Sequence, residues 1–169
     1  MELYILRHGD AVDRATGGYA RDEERPLTER GREEARLAGR ALAALGVRLD
    51  LLLTSPLVRA RETAELVAEA VRPRRGPLGS AALAPGARPE VVLAALHEAG
   101  DARAALLVGH MPDLGELVGW LVWGQADLAV PLRTGGLCRV DLPDQPAPGT
   151  GDLRWLLPPR LTKALGARR

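Results

Sequence analysis

The sequence predicts an α/β protein, one domain arranged as a three-layer α/β/α sandwich around a mainly parallel central sheet. Three observations lead there. Short apolar runs of strand length alternate with segments whose apolar residues recur at helical spacing. Strands joined through helices need crossover connections, and a parallel sheet built that way is covered on both faces. The 169 residues, 46% of them hydrophobic, suit one average domain with a real core. No internal repeat or interdomain linker interrupts residues 1–169, so a single domain is expected.

The elements follow in order. Glu2–Leu6 (ELYIL) reads as a buried strand and runs into Arg7-His8-Gly9. Asp10–Pro26 is polar and carries Gly17-Gly18, so it reads as a loop. Thr28 is a plausible N-cap for a helix over 29–45, where Ala35, Ala38, Leu42 and Leu45 follow helical spacing and Gly46 is a stop. Leu49–Thr54 (LDLLLT) is the second strand, closed by Ser55-Pro56, and a helix over 57–71 follows with Ala60, Ala64, Val67 and Val71 on one face. The Pro-, Gly- and Arg-rich stretch 73–89 is a connection with room for a short strand near Leu78–Leu83. A helix over 89–99 ends at Gly100, and Ala104–Val108 (AALLV) is a third strand leading to Gly109-His110. Met111–Trp123 reads as an apolar helix. Leu137–Leu142 and Leu153–Leu157 read as two more strands around the turn-rich 143–151, and a short helix near Arg160–Leu165 ends the pattern.

Composition excludes several classes. A chain with 27% charged residues and a formal net charge of +1 is not of the disordered type. The one cysteine, Cys138, rules out a disulfide scaffold and a cysteine-rich zinc site and reads as a small core residue. No apolar run is long enough for a membrane helix, and no basic segment precedes an apolar stretch at the start; a cytoplasmic protein, away from membranes, is the default expectation. A near-neutral charge with 3% aromatics argues against nucleic acid, although Arg72, Arg74 and Arg75 form a small basic run. No GxxxxGK[ST] motif occurs, so a P-loop nucleotide site is unsupported. With three histidines and no tight carboxylate cluster at a strand end, neither a catalytic metal nor another cofactor is expected. His97 reads as a helix surface residue, and Trp120, Trp123 and Trp155 as packing. Of the 23 basic residues 22 are Arg, a skew that GC-rich coding explains in the main.

In parallel sheets ligands bind beyond the carboxyl ends of the strands. Arg7-His8-Gly9, Ser55-Pro56 and Gly109-His110 each follow a predicted strand, so segments distant in sequence would meet on one sheet edge. A neutral imidazole is a nucleophile, and attack on phosphorus would give a phosphoimidazole. Arg7 and Arg59 could supply bidentate donors to the phosphoryl oxygens, a helix start would add backbone N–H groups, and Gly9 would allow close backbone approach. Each feature alone also has a bland reading as a solvated charge or a hydrogen-bonded structural histidine.

Four ordered segments add a resemblance. Leu6-Arg7-His8-Gly9-Asp10-Ala11 resembles the signature of the histidine phosphatase superfamily. Arg25-Pro26-Leu27-Thr28-Glu29-Arg30-Gly31 is similar to its RPLTxxG segment, and Ser55-Pro56-Leu57-Val58-Arg59-Ala60-Arg61-Glu62-Thr63-Ala64 to its SPxxRAxxTA segment. Val108-Gly109-His110-Met111-Pro112 is similar to the segment carrying its second histidine. The short length and the RHGDA form resemble the SixA-like branch, the phosphohistidine phosphatases. The resemblance spans nearly the whole chain, including the Arg154-Trp155 strand and the helix after it.

By that resemblance His8 would become phosphorylated, Arg7 and Arg59 would clamp the phosphoryl oxygens, and His110 would be a further donor. His110 would then have to present an N–H or be protonated. Arg61 competes with Arg59 for the clamp, but two residues apart on a helix only one can enter the pocket. The sequence departs from the family at the proton donor, because Ala82 occupies the place where an acidic residue is expected. Asp10 is the best-placed substitute, with Asp13, Asp22, Glu23 and Glu90 as further candidates. The implied reaction is metal-independent hydrolysis through a phosphohistidine, with a phosphohistidine-bearing protein as the favoured partner. A small phosphate ester is the alternative substrate, and a phosphate-binding regulatory domain with little turnover is the alternative from another class.

Overall fold

The computed structural model describes residues 1–167 of the chain. Six strands form one sheet: β1 (Glu2–Arg7), β2 (Leu51–Thr54), β3 (Arg75–Gly79), β4 (Ala104–Gly109), β5 (Leu137–Asp141) and β6 (Asp152–Leu157). Their spatial order is β3-β2-β4-β1-β5-β6. The pairs from β3 through β1 are parallel, and β5 joins antiparallel to β1 and to β6.

The period of two in β1 separates the layers. Leu3 and Ile5 meet Leu114, Leu117, Val118 and Leu121 from α5 (Asp113–Trp123) and Val92 and Leu96 from α4 (Pro89–Glu98). Tyr4 and Leu6 point the other way, to Ala38 and Leu42 of α2 (Glu29–Ala44) and Ala60, Ala64 and Val67 of α3 (Val58–Val71). Burying each large apolar side chain contributes about 1.5–3 kcal/mol, so both faces of β1 hold helices against the sheet. The three-layer α/β/α sandwich with a mainly parallel sheet is thus the observed architecture. A last helix, α6 (Pro159–Gly166), lies against α2, where a Cβ on Gly166 would overlap the Leu37 carbonyl. No helix among the described residues is long and apolar enough to cross a membrane.

Helix α2 starts as its sequence suggests, with Thr28 Oγ1 accepting from the Gly31 N–H at 3.0 Å. Two connections differ from the sequence reading. The strand expected near Leu78–Leu83 is β3 at Arg75–Gly79, and residues 81–83 form a 3-10 turn. Strand β3 is a sheet edge with little burial, so apolar periodicity carries no signal for it. The loop 10–26 contains a one-turn helix, α1 (Arg14–Gly17), capped by Asp13, and a 3-10 turn at Asp22–Glu24. An antiparallel bridge between Ala11 and Leu27 pins the base of that loop.

Of the residues expected to serve packing, Trp123 is instead exposed at the end of α5. His97 is exposed. Trp155 packs on Tyr4 with ring centroids 5.9 Å apart, and Trp120 lies against the α5 side of the core. Arg74 pairs with Asp50 at 3.4 Å, and Arg75 donates to the Ala99 and Asp101 carbonyls. Cys138 is buried, and that burial pushes its thiol up to about 12.

Candidate active site

The register of the three central strands brings their carboxyl ends level. Arg7 is the partner of Gly109, and Thr54 is the partner of Val108. The next residues, His8, His110 and Ser55, therefore leave the sheet side by side. Backbone bonds continue the ladder one step further, from His8 N–H to the Gly109 carbonyl at 3.1 Å and from Ser55 N–H to the Val108 carbonyl at 2.9 Å. The two imidazoles end with ring centroids 5.0 Å apart.

Helix α3 starts just beyond Ser55 and carries Arg59 in its first turn. Arg59 is 4% exposed, whereas Arg61 points to solvent, so the helix face selects Arg59 for the site. Arg59 Nε lies 3.4 Å from His8 Nε2. Thr63, one turn on, accepts from the Gly9 N–H at 3.1 Å and donates to the Arg59 carbonyl at 2.7 Å, which ties α3 to the chain after His8. Gly9 crosses close to α2: a Cβ there would overlap the Gly31 carbonyl oxygen, so only glycine fits.

The protonation pattern of His8 follows from its partners. Its Nδ1 lies 2.7 Å from the Gly9 carbonyl, which can only accept, so Nδ1 carries the proton. Its Nε2 keeps the lone pair and faces the Arg59 Nε–H. Burial, with Arg59 and Arg7 nearby, pushes the His8 pKa down to about 4 against the pull of the Gly9 hydrogen bond. Burial also pushes His110 down to about 3, with His8 and Arg59 adding to it. Both rings are neutral at pH 7.

Arg7 Nη1 donates to the Leu132 carbonyl at 2.9 Å. Among the described residues, two buried side-chain polar atoms lack a hydrogen-bond partner, Arg7 Nε and His110 Nδ1. Buried polar groups are nearly always satisfied, and each exception calls for a reason. Here both belong to the same strand-end cluster and suit an anion.

The carboxylates divide clearly. Asp10 accepts from the Thr28 hydroxyl at 2.8 Å, and its backbone N–H donates to Glu34 at 2.9 Å. Asp13 caps α1, Glu23 pairs with Arg21, and Glu90 is exposed on α4. Asp22 alone of these reaches Arg59, with Oδ2 accepting from Nη2 at 2.9 Å and its carbonyl from Nη1 at 2.8 Å. Burial raises the Asp22 pKa, but Arg25 and Arg59 outweigh it and hold the carboxyl below its ordinary range. Ala82 is buried in the 3-10 turn after β3.

The structure brings Arg7, His8, Gly9, Arg59 and His110, the residues singled out from the sequence, together at one sheet edge. Sequence reasoning assigns no role to Ser55 or Thr63, although both lie in the segment that carries Arg59. The Leu132 carbonyl has no sequence signal, since 124–136 is irregular. Among the described residues no group of three or more His, Cys, Asp or Glu gathers as a metal site. A groove of about 1150 Å³ lies at the opposite edge, beside Met1, Asp50, Arg74 and Arg139, where Arg74 pairs with Asp50 and Arg139 with Asp141.

The comparisons agree with this geometry. The model of the histidine phosphatase superfamily (branch 1) matches residues 3–78. The phosphohistidine phosphatase SixA of Escherichia coli (strain K12) is 32% identical, across 98% of this chain and 100% of its own. An uncharacterised protein of Picosynechococcus is 42% identical across 81% of this chain and 82% of its own. The solved structure of the protein histidine phosphatase SixA with tungstate superposes with a TM-score of 0.81 at 30% identity, covering 95% of this chain and 98% of that one. With its fold, its strand-end histidines and a full-length relative in agreement, the chain belongs to the histidine phosphatase superfamily, in its SixA-like branch, and is a phosphatase.

Proposed function

We propose that this protein removes phosphate from phosphohistidine on another protein, without a metal, through a covalent phosphohistidine at its own His8. The observation that carries the reading is the pair of unpartnered buried polar atoms, Arg7 Nε and His110 Nδ1, beside a neutral His8 whose Nε2 lone pair meets the Arg59 Nε–H only at a long 3.4 Å. Arg7 and Arg59 hold the equatorial oxygens, and charge stabilisation of this kind carries most of phosphoryl-transfer catalysis.

In the first step His8 Nε2 attacks phosphorus, and the bond from phosphorus to the substrate's ring nitrogen breaks. The leaving nitrogen takes a proton from solvent, and His8 keeps its Nδ1 proton on the Gly9 carbonyl. Water then attacks phosphorus, the bond to His8 Nε2 breaks, the water's proton is lost to solvent, and inorganic phosphate leaves. No carboxylic acid is required if the P–N bond is labile and its nitrogen is protonated from water. That supports phosphohistidine over alkyl phosphates in a site with Ala82 where the family has an acid. Asp22 is held ionised beside Arg59, which suits it poorly to donate a proton at neutral pH. Asp10, the donor expected from the sequence, is tested by Asp10→Asn; unchanged turnover of phosphohistidine assigns the proton to solvent.

Rapid-quench labelling with a phosphohistidine peptide, in the presence of a chelator, tests the whole reading. An acid-labile phosphate on the wild type that is absent in His8→Ala, with slow turnover of an alkyl phosphate, is expected. Equal turnover of both substrates would favour a small phosphate ester instead. Phosphate binding without a covalent adduct would favour a regulatory domain, the reading to which the missing acid at Ala82 lends weight.

A further inference from the structure

His110 is neutral at pH 7, so it can donate to a phosphoryl oxygen only through whichever ring nitrogen holds its single proton. Its Nε2 lies 2.7 Å from Ser55 Oγ, while its Nδ1 is buried with no partner. Ser55 is fully buried at the end of β2. Its oxygen already accepts from the Leu57 N–H at 3.3 Å. The hydroxyl hydrogen has one acceptor within reach among the described residues, His110 Nε2. If Nε2 held the proton instead, Ser55 would bury an unpartnered O–H, and the buried Nδ1 of His110 would keep a lone pair that no donor reaches.

We infer that Ser55 is a positioning residue that fixes His110 in its Nδ1–H tautomer, so that a neutral imidazole serves as a phosphoryl-oxygen donor. The inference rests on the proposed phosphate site, but the tautomer is a property of the free protein. The assignment also explains how a ring pushed toward the neutral form can still bind an anion. The charged and titratable groups around His110 are His8, Arg59, Asp22 and Arg7, and among them the cations oppose a second proton on the ring.

The test begins with the wild type. Nitrogen-15 NMR of histidine-labelled protein at pH 7 should show His110 protonated at Nδ1 and bare at Nε2. A proton on Nε2 would overturn the inference whatever reaction the protein performs. The second arm uses inorganic phosphate as probe, measured calorimetrically with wild type, Ser55→Ala and Ser55→Thr. Losing one hydrogen bond to a charged group predicts about 10- to 100-fold weaker binding in Ser55→Ala. Ser55→Thr, which keeps a hydroxyl, should recover both affinity and tautomer. The Ser55→Ala deficit should shrink as pH falls, because a doubly protonated imidazole donates from either nitrogen. Equal affinity and an unchanged tautomer in folded Ser55→Ala would refute the role. Loss of the phosphohistidine intermediate with the Nδ1–H tautomer intact would instead count against the proposed function.

Discussion

Arg59 and Arg61 show how much one residue of helix phase decides. Both offer a guanidinium for the phosphate clamp, and the motif register favours Arg59. Helix α3 turns Arg59 inward beside His8 and leaves Arg61 in solvent. Removing an electrostatic donor from a phosphoryl-transfer site costs about 10²–10³ in rate. Arg59→Ala should therefore lower kcat/KM on a phosphohistidine peptide by that order, while Arg61→Ala stays within about twofold of wild type by the small effect of exposed charges. The reverse ranking would place the wrong arginine in the site. Asp22 gives a second prediction at this scale. Its carboxylate occupies Arg59 Nη2, so an incoming phosphoryl group must displace it. Asp22→Asn removes the competing charge and should bind inorganic phosphate severalfold more tightly in a titration, with turnover of phosphohistidine retained. Weaker binding would mean that Asp22 supports the clamp and does not compete with it. The sequence offers Asp22 only as one acid among five, because its approach to Arg59 depends on a loop whose shape has no periodic signal.

At the scale of elements, the parts that were legible are those with two buried faces or a strong cap. Strands β1, β2 and β4 read as apolar runs because both sheet faces are covered, and α2 reads from Thr28 onward because its cap is local. Since sites in such sheets sit at strand carboxyl ends, the legible strands made Arg7, His8 and His110 legible with them. Edge strand β3 reads only as a short strand a few residues late, and the short helix α1 does not read at all, because pairing to β2 and the Ala11–Leu27 bridge hold them in place and neither contact is written in local spacing. Ser55 went unassigned because its partner, His110, is 55 residues away. The cap of α2 connects element to site: Thr28 accepts from Gly31 N–H and donates to the Asp10 carboxylate two residues beyond His8. Thr28→Ala should cost about 1–2 kcal/mol. For a domain of this size that lowers Tm by about 2–4 °C per kcal/mol. Thermal melts check the stability, and kcat below the melt should change little if the Asp10 link only braces α2.

At the scale of the molecule, the sheet folds two neutral imidazoles into one desolvated edge, and this couples folding to pH. Burial lowers the folded pKa of His8 to about 4 and of His110 to about 3, whereas the unfolded rings titrate near 6.5. Below 6.5 the unfolded chain binds protons that the folded chain refuses, so stability falls as pH drops. The contribution is fully present above about 6.5 and is lost progressively down to the folded values. At pH 5 each ring accounts for a loss of about 2 kcal/mol by linkage. Denaturant unfolding at pH 7.5 and pH 5 should therefore show a drop that shrinks by about half in His110→Gln, since glutamine does not titrate. Carboxylates such as Asp22 lose their own stabilisation only at lower pH, because their folded pKa values lie below the ordinary range. Bound phosphate should act in the opposite direction, since an anion beside the rings favours their charged forms and binds the folded state alone. Saturating phosphate is thus expected to stabilise the protein and to flatten its pH dependence between 5 and 7. A slope of stability against pH that is the same in wild type and His110→Gln would show that His110 is solvated in the folded protein and free to take a second proton, in which case its donor role would not depend on tautomer.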